Sequence, residues 1–487
     1  MTIFRTSKPL TLFEATLPIA AMLVLFVAGA AFLAVSPELL IAVLLGSATV
    51  AGVVAARHGV TWDGIQRSTG EKLASVLPAL LILLSIGMLI ATWVFSGTIP
   101  YLVYWGINLV SPRYLVLTAF LATSLMSLFT GTSWGSAGTI GVALMGTAAA
   151  LGAPMAATAG AVVSGAYLGD KLSPLSDSTN ICAIGAGAPL YSHIRHMLYT
   201  AVPSAMGALI VYALAARLMP VVSNGMPESA RTVLADIETV FRLSPIVLLP
   251  PAIVVWSIVR RVPPALAIAL SSVVAGSIGI LLQGFGLHDA IVSAIAGFRL
   301  DMVESVGADP KALGAAFAAL VERGGLYAMA DTLVVVIAAF LLAGAMDASG
   351  ALDLLIKRML AAVRSLFGLI AATMAAGGTM IALTSHGGVT ALVIGGLFQG
   401  AYRERGLAPE NLSRSLEDSV TITEPLMPWT VSAVFMATTL GVPTLSYAPW
   451  AVFCYGGPIF SLLIAALFRH SGFGVRLLAP PGSAPAE

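Results

Sequence analysis

Long runs without one charged residue alternate with short polar breaks along this chain. Residues 15–37, 39–56, 73–95, 197–216, 243–259, 262–287 and 365–385 contain no Asp, Glu, Lys, Arg or His. A helix needs about 20 apolar residues to cross the hydrocarbon core, so each run predicts a span or most of one. Residues 114–169 and 425–468 are also uncharged. Both are too long for one straight helix and must hold at least two elements each. The pattern predicts about 10–13 hydrophobic elements, some of them hairpins that enter and leave on one side. The longest polar stretches, 220–242 and 299–325, read as loops with short amphipathic helices.

Composition agrees. Hydrophobic residues make up 58% of the 487 and charged residues 10%, against about 25% charged in soluble domains. The expected fold is an all-α polytopic membrane protein forming one transmembrane domain over 1–487, with the lipid bilayer as its solvent. Net charge is +1, which gives no footprint for nucleic acid. Cys182 and Cys454 form no disulfide framework. Arg5 and Lys8 precede a first run longer than a signal-peptide core, so an uncleaved first helix is expected. The basic cluster Arg57, His58, Arg67 and Lys72, with Arg5 and Lys8, puts the N-terminus and the 57–72 loop in the cytoplasm. Other clusters are Arg260/Arg261, Lys357/Arg358/Arg364, Arg403/Arg405/Arg414 and Arg469/Arg476.

Three markers recur in order. Ser96-Gly97 is matched by Ser349-Gly350, Thr-Ser-x-Gly at Ser133 by the same pattern at Ser385, and Pro174-Leu175 by Pro425-Leu426. Their near-equal spacing predicts a two-fold repeat, about 73–190 and about 329–440. Such repeats place a transporter's site at the midplane, where broken helices meet. GTSWGSAGT (131–139) and TSHGG (384–388) put Gly, Ser and Thr inside apolar runs. GDKLSPLSDSTN (169–180) and LEDSVTITEPLMPW (416–429) combine Pro with carboxylates, and Pro removes a helix donor.

A charge at the bilayer centre costs a few kcal/mol and so marks a cavity or an ion pathway. An alkali cation wants hard oxygen ligands, by the logic that governs Ca2+, and half-helix ends add dipoles. Asp177 is therefore nominated as the shared Na+ and proton site, with Asp170 as its alternative. Ser176, Ser178, Thr179 and Asn180 supply oxygens; Asp177, Thr179 and Asn180 are the candidate Na+ ligands. Thr132 and Ser133 in the first half, and Ser385 and Glu424 in the second, complete the set. His386, set against Trp134 in the repeat, is a candidate pH sensor or a packing histidine. Glu417 and Asp418 beside Arg414 read as a solvated helix face. His193 and His196, beside Arg195, read as a cytoplasmic or interfacial basic patch. Glu14 and Asp331 read as helix-start acids, and Asp347 as a helix-end residue. Trp93, Tyr101, Tyr104 and Trp105 read as interfacial anchors.

The segments ATWVFSGTIPYLVYWG (91–106), GTSWGSAGT (131–139), SGAYLGDKLSPLSDSTN (164–180), HIRHMLYT (193–200) and LEDSVTITEPLMPW (416–429) resemble the NhaC family of Na+/H+ antiporters. More distantly the chain resembles the larger ion-transporter superfamily. The resemblance implies inverted repeats, with 131–139 and 384–388 as re-entrant hairpins or breaks and 176–180 and 421–425 as unwound partners. It implies Na+ for H+ exchange by alternating access in the bacterial inner membrane, with no cofactor beyond the transported ions. Some relatives exchange malate or lactate with Na+ and H+, which keeps an organic-acid exchanger open, with Lys171 as the nearest cation. An enzyme is not expected, with no H-E-x-x-H and no G-x-S-x-G in a plausible context, and the absence of a P-loop disfavours ATP-driven transport. Stoichiometry, Na+ against Li+, and oligomeric state, a homodimer included, stay open.

Overall fold

The computed structural model describes residues 9–33, 36–218, 227–260, 262–361, 363–467 and 473–478. Arg5, Lys8, Arg261 and Arg469 lie outside them, as does 220–226 of the first polar stretch.

The chain opens with α1 (Leu12–Phe32) and α2 (Pro37–Arg57), both of membrane-crossing length. The Thr11 hydroxyl accepts from the Glu14 N–H at 3.3 Å, and the Glu14 carboxylate accepts from the Thr11 N–H at 3.0 Å. Orphan donors at the helix start are satisfied reciprocally, so Glu14 is a helix-start acid. The next helix, α3 (Trp62–Phe95), has 34 residues. At 1.5 Å per residue it is about 51 Å long and overshoots the hydrocarbon core; Asp63, Arg67, Glu71 and Lys72 occupy its surplus turns.

After Ser96-Gly97 come α4 (Thr98–Leu109) and α5 (Leu115–Thr130). A tip at Gly131–Thr132 leads into α6 (Ser133–Ser136), a π-helical turn at Ala137–Gly141 and α7 (Val142–Ala150). The helices α8 (Met155–Leu172) and α9 (Asp177–Ala186) are two parts of a run broken at 173–176, and α10 (Leu190–Leu218) follows. The middle of the chain holds α11 (Glu228–Val240), α12 (Leu249–Val259), α13 (Pro264–Ile278), α14 (Leu287–Ala296) and α15 (Ala315–Val321). The second series is α16 (Ala330–Ala348), α17 (Ala351–Ala361), α18 (Leu366–Thr384) and α19 (Gly387–Glu404). It continues through α20 (Pro409–Leu416) and its π-helical extension Glu417–Thr421, a break, then α21 (Val431–Leu440), α22 (Thr444–Tyr447) and α23 (Val452–Leu467).

Among the described residues, eight helices are long and apolar enough to cross a membrane, or up to 10 if two bent pairs each count as one. The chain is an all-helical multi-pass membrane protein. Phe13, Val24 and Val27 on α1 and Ile210 and Leu214 on α10 are exposed; lipid, which is as apolar as they are, is their solvent. Trp93 corrects its interfacial assignment. It is fully buried, and its Nε1 donates to Ser271 Oγ at 3.0 Å.

The helix ends explain where the chain breaks. Gly131 closes α5 at φ 66 and Ser385 closes α18 at φ 55; Ser385 is the sole non-glycine residue at positive φ among the described residues. Thr132 caps α6 and His386 caps α19, each accepting from a backbone N–H of the first turn. The hydroxyls of Thr130 and Ser136 meet at 3.2 Å, and those of Thr384 and Thr390 at 2.6 Å. Ser176 caps α9 and Thr430 caps α21; left-handed Gly187 and Gly441 end them. All these pairs stand at one separation in sequence, two residues out of step with the letter match of Ser133 to Ser385. In structural terms His386 corresponds to Thr132, not to Trp134.

The two series interlock. α9 runs against α19 in backbone contact, with Gly185 facing Ala391 and Gly395. A Cβ on Gly185 would lie 2.8 Å from Ala391 O. Gly185→Ala should therefore push the helices apart and cost about 1–3 kcal/mol, read as a lower melting temperature in detergent. Unchanged melting would show that the contact yields.

Candidate functional site

The two tips and the two breaks converge on one cavity of about 860 Å3. Its wall includes Thr130–Trp134 of the first tip, Asp170, Asp177, Ser178 and Asn180 at the first break, His386–Gly388 of the second tip, and Thr421, Glu424 and Ser432 at the second break. Pro78, Ala79 and Ile82 of α3 close one side.

Asp170 sits in the last turn of α8 and is 6% exposed. Facing its carboxyl are Ser176 and Ser133, the latter through both hydroxyl and backbone N–H. Ser133 is the first residue of α6, so the acid lies at a helix N-terminus, where the dipole favours negative charge. Glu424 repeats the arrangement. It is 7% exposed, faces Ser432 and the backbone of Gly387, and Gly387 opens α19. Asp170 and Glu424 stand at the same separation as the caps, so they are structural counterparts.

The nominated residues separate by role. Asp177 opens α9 and is exposed to the cavity. Ser178 lines it and reaches Glu417 Oε1 at 3.5 Å. Asn180 lines it while its amide donates to Pro174 O at 3.1 Å and Ser176 O at 2.7 Å, bracing the break. Thr179 is buried beside the break rather than in the cavity wall. Its hydroxyl donates to the carbonyls of Asp170 and Lys171 at 3.3 and 3.1 Å, away from the cavity. Ser385 is buried behind the tip, 3.5 Å from Trp429 O. His386 lines the cavity, with Nδ1 accepting from Val389 N–H at 3.4 Å.

A second polar layer lies behind the wall, and the sequence misjudged it. Glu417 and Asp418 are fully buried rather than solvated. Lys171, 1% exposed, pairs with Asp418, which also accepts from Ser461 at 2.9 Å and Thr200 at 3.2 Å. Lys171 therefore neither neutralises Asp170 nor reaches the cavity. The His193/His196 patch is likewise internal. His193 Nδ1 meets Ser413 Oγ at 2.7 Å, and His196 meets Arg414 at 3.2 Å; only Arg195 is exposed. Asp347 ends α16 and pairs with Lys72 at 3.4 Å. No cluster of three metal-binding side chains occurs among the described residues.

Sequence reasoning missed Tyr167 and Trp134 as wall residues. Tyr167 stands three positions before Asp170, a spacing that shares a helix face, and could have been found that way.

A family model described as the Na+/H+ antiporter family matches residues 9–186 and 165–467. The chain is 43% identical to an uncharacterized Na+/H+ antiporter of Haemophilus influenzae, over 98% of this chain and 99% of the relative. It is 32% identical to the Na+/H+ antiporter NhaC of Alkalihalophilus pseudofirmus, over 94% and 95%. It is 31% identical to the arginine/ornithine antiporter ArcD of Halobacterium salinarum, over 96% and 94%.

Proposed function

The chain belongs to the Na+/H+ antiporter family, and from that premise we infer that it exchanges Na+ for H+ at the cavity between the two tips, with Asp170 as the coupling acid. The observation that carries the assignment is the Asp170 carboxyl in the cavity wall, nearly buried, facing two serines and a helix N-terminus, with no cation paired to it among the described residues. A carboxylate so placed takes Na+ or a proton, and one excludes the other. Either ligand neutralises it. A bare carboxylate meets the cost of charge in the membrane, so only the loaded forms cross, and exchange follows. Ser133 and Ser176 supply oxygens for Na+. Glu424, with Ser432, forms the matching half-site at the second break.

The recurring caps support two repeats, about 73–190 and about 329–440. The basic loop with Arg57, Arg67 and Lys72 supports a cytoplasmic N-terminus, and the family supports the bacterial inner membrane. An organic acid would be left with the backbone N–H groups of the tips. Lys171, the nearest cation, is paired with Asp418.

Asp177 lies at the exposed rim of this arrangement. A charge in contact with water contributes up to about 1 kcal/mol, so Asp177→Asn should raise the half-saturating Na+ concentration roughly fivefold and leave the maximal rate standing. The measurement is Na+-driven collapse of a pH gradient in proteoliposomes. An inactive Asp177→Asn protein would move the coupling role from Asp170 to Asp177.

A further inference from the structure

The cavity is larger than a Na+ site needs. A bare alkali cation is satisfied by a handful of oxygens, whereas 860 Å3 lies within the range of small-molecule pockets, about 300–1,000 Å3. Its wall has a consistent chemistry. Asp170, Asp177 and Glu424 bring three carboxyl groups to it, and among the described wall residues there is no Lys or Arg. Pro78, Ala79, Ile82, Ile181 and Val431 give it an apolar body. Trp134, stacked on Phe435 at 4.5 Å, holds an aromatic ring at the wall, with Nε1 anchored to Ser432 Oγ at 3.3 Å. Tyr167 faces the same cavity, only 2% exposed, with Ser432 beside its hydroxyl.

We propose that the cavity admits a small organic primary ammonium compound, which binds in competition with Na+ with its charged head at the carboxylates and its alkyl body against Trp134 and α3. This extends the site described above and rests on its being the transport cavity. An ammonium group donates three hydrogen bonds and accepts none, which suits carboxylates and the oxygen of Tyr167. Aromatic rings attract cations through their quadrupole. An organic anion would face three carboxylates with no countercharge, so the same wall that admits an amine rejects a dicarboxylate.

The test uses the full-length protein in liposomes with two readouts. Na+-driven collapse of a pH gradient reports Na+/H+ exchange. Uptake of labelled putrescine into vesicles preloaded with unlabelled putrescine, corrected by protein-free vesicles, reports amine passage without relying on the pH gradient. Both should be positive, external Na+ should inhibit the putrescine uptake, and malate should not. Trp134→Ala should lower putrescine uptake about tenfold. Na+/H+ exchange without protein-dependent putrescine uptake would overturn the amine inference alone, as would uptake unaffected by Na+, uptake of malate in its place, or wild-type putrescine uptake by Trp134→Ala. Putrescine uptake without Na+-driven proton movement would overturn the Na+ assignment and uphold the amine one. Loss of both readouts in folded protein would overturn both.

Discussion

Asp170→Asn reduces Na+-driven proton movement to the level of protein-free liposomes, while the protein still folds and melts cooperatively. Asn matches Asp in size and can still hydrogen-bond Ser133 and Ser176, which face the carboxyl, so the break at 173–176 keeps its shape. What disappears is the charge. The neutral amide neither attracts Na+ nor releases a proton, and the empty site no longer resists crossing. The cost of a charge at membrane depth is about 3 kcal/mol, and discarding it removes roughly a hundredfold discrimination between loaded and empty states. Glu424→Gln is the companion experiment. A silent Asp170→Asn with an inactive Glu424→Gln would place the coupling acid at the second break.

Lys171→Met should be the most damaging single change to folding. Lys171 is 1% exposed and Asp418 0%, and removing one partner of a buried ion pair leaves the other charge uncompensated, at a cost of about 3–5 kcal/mol. Ser461 and Thr200 still donate to Asp418 but carry no positive charge. The expected result is a sharp fall in melting temperature and in yield. Adding Asp418→Asn to Lys171→Met should recover much of it, because the stranded charge is then gone. A double variant no more stable than the single one would show that Lys171 acts through packing. The pair also bears on transport. By occupying Lys171, Asp418 keeps the neighbouring Asp170 without a fixed countercharge.

The spans were legible because burial in lipid demands long apolar runs: 15–37 became α1, 73–95 most of α3 and 365–385 most of α18. The tips were legible because only small residues break such runs. The register between halves was not, because identical letters, Ser133 and Ser385, do different work. One faces the carboxyl of Asp170 at a helix start and the other turns the chain at a helix end. The buried layer was the largest misreading. Glu417 and Asp418 near Arg414 look like a wet helix face, and nothing local reveals that the partner of Asp418 is Lys171, distant in sequence. The carbonyl partners of Thr179 were equally hidden: a hydroxyl beside a helix break suits an ion or a backbone carbonyl, and only the fold shows that it bonds the carbonyls of Asp170 and Lys171.

The backbone contact of α9 with α19 has an electrical consequence. The contact ties half of the first broken helix to the second tip, and if the two acids cross together, Asp170 and Glu424 share one charge balance. Each crossing then carries two carboxyls, and their loads fix the current. One cation on each acid in both directions moves no net charge. Returning with both acids protonated after leaving with Na+ on Asp170 and Glu424 ionised would move one elementary charge per cycle, worth about 2.3 kcal/mol at 100 mV, and such a cycle would have to bear the cost of about 3 kcal/mol of the bare Glu424 carboxylate. The membrane voltage would thus enter the driving force through the occupancy of Glu424.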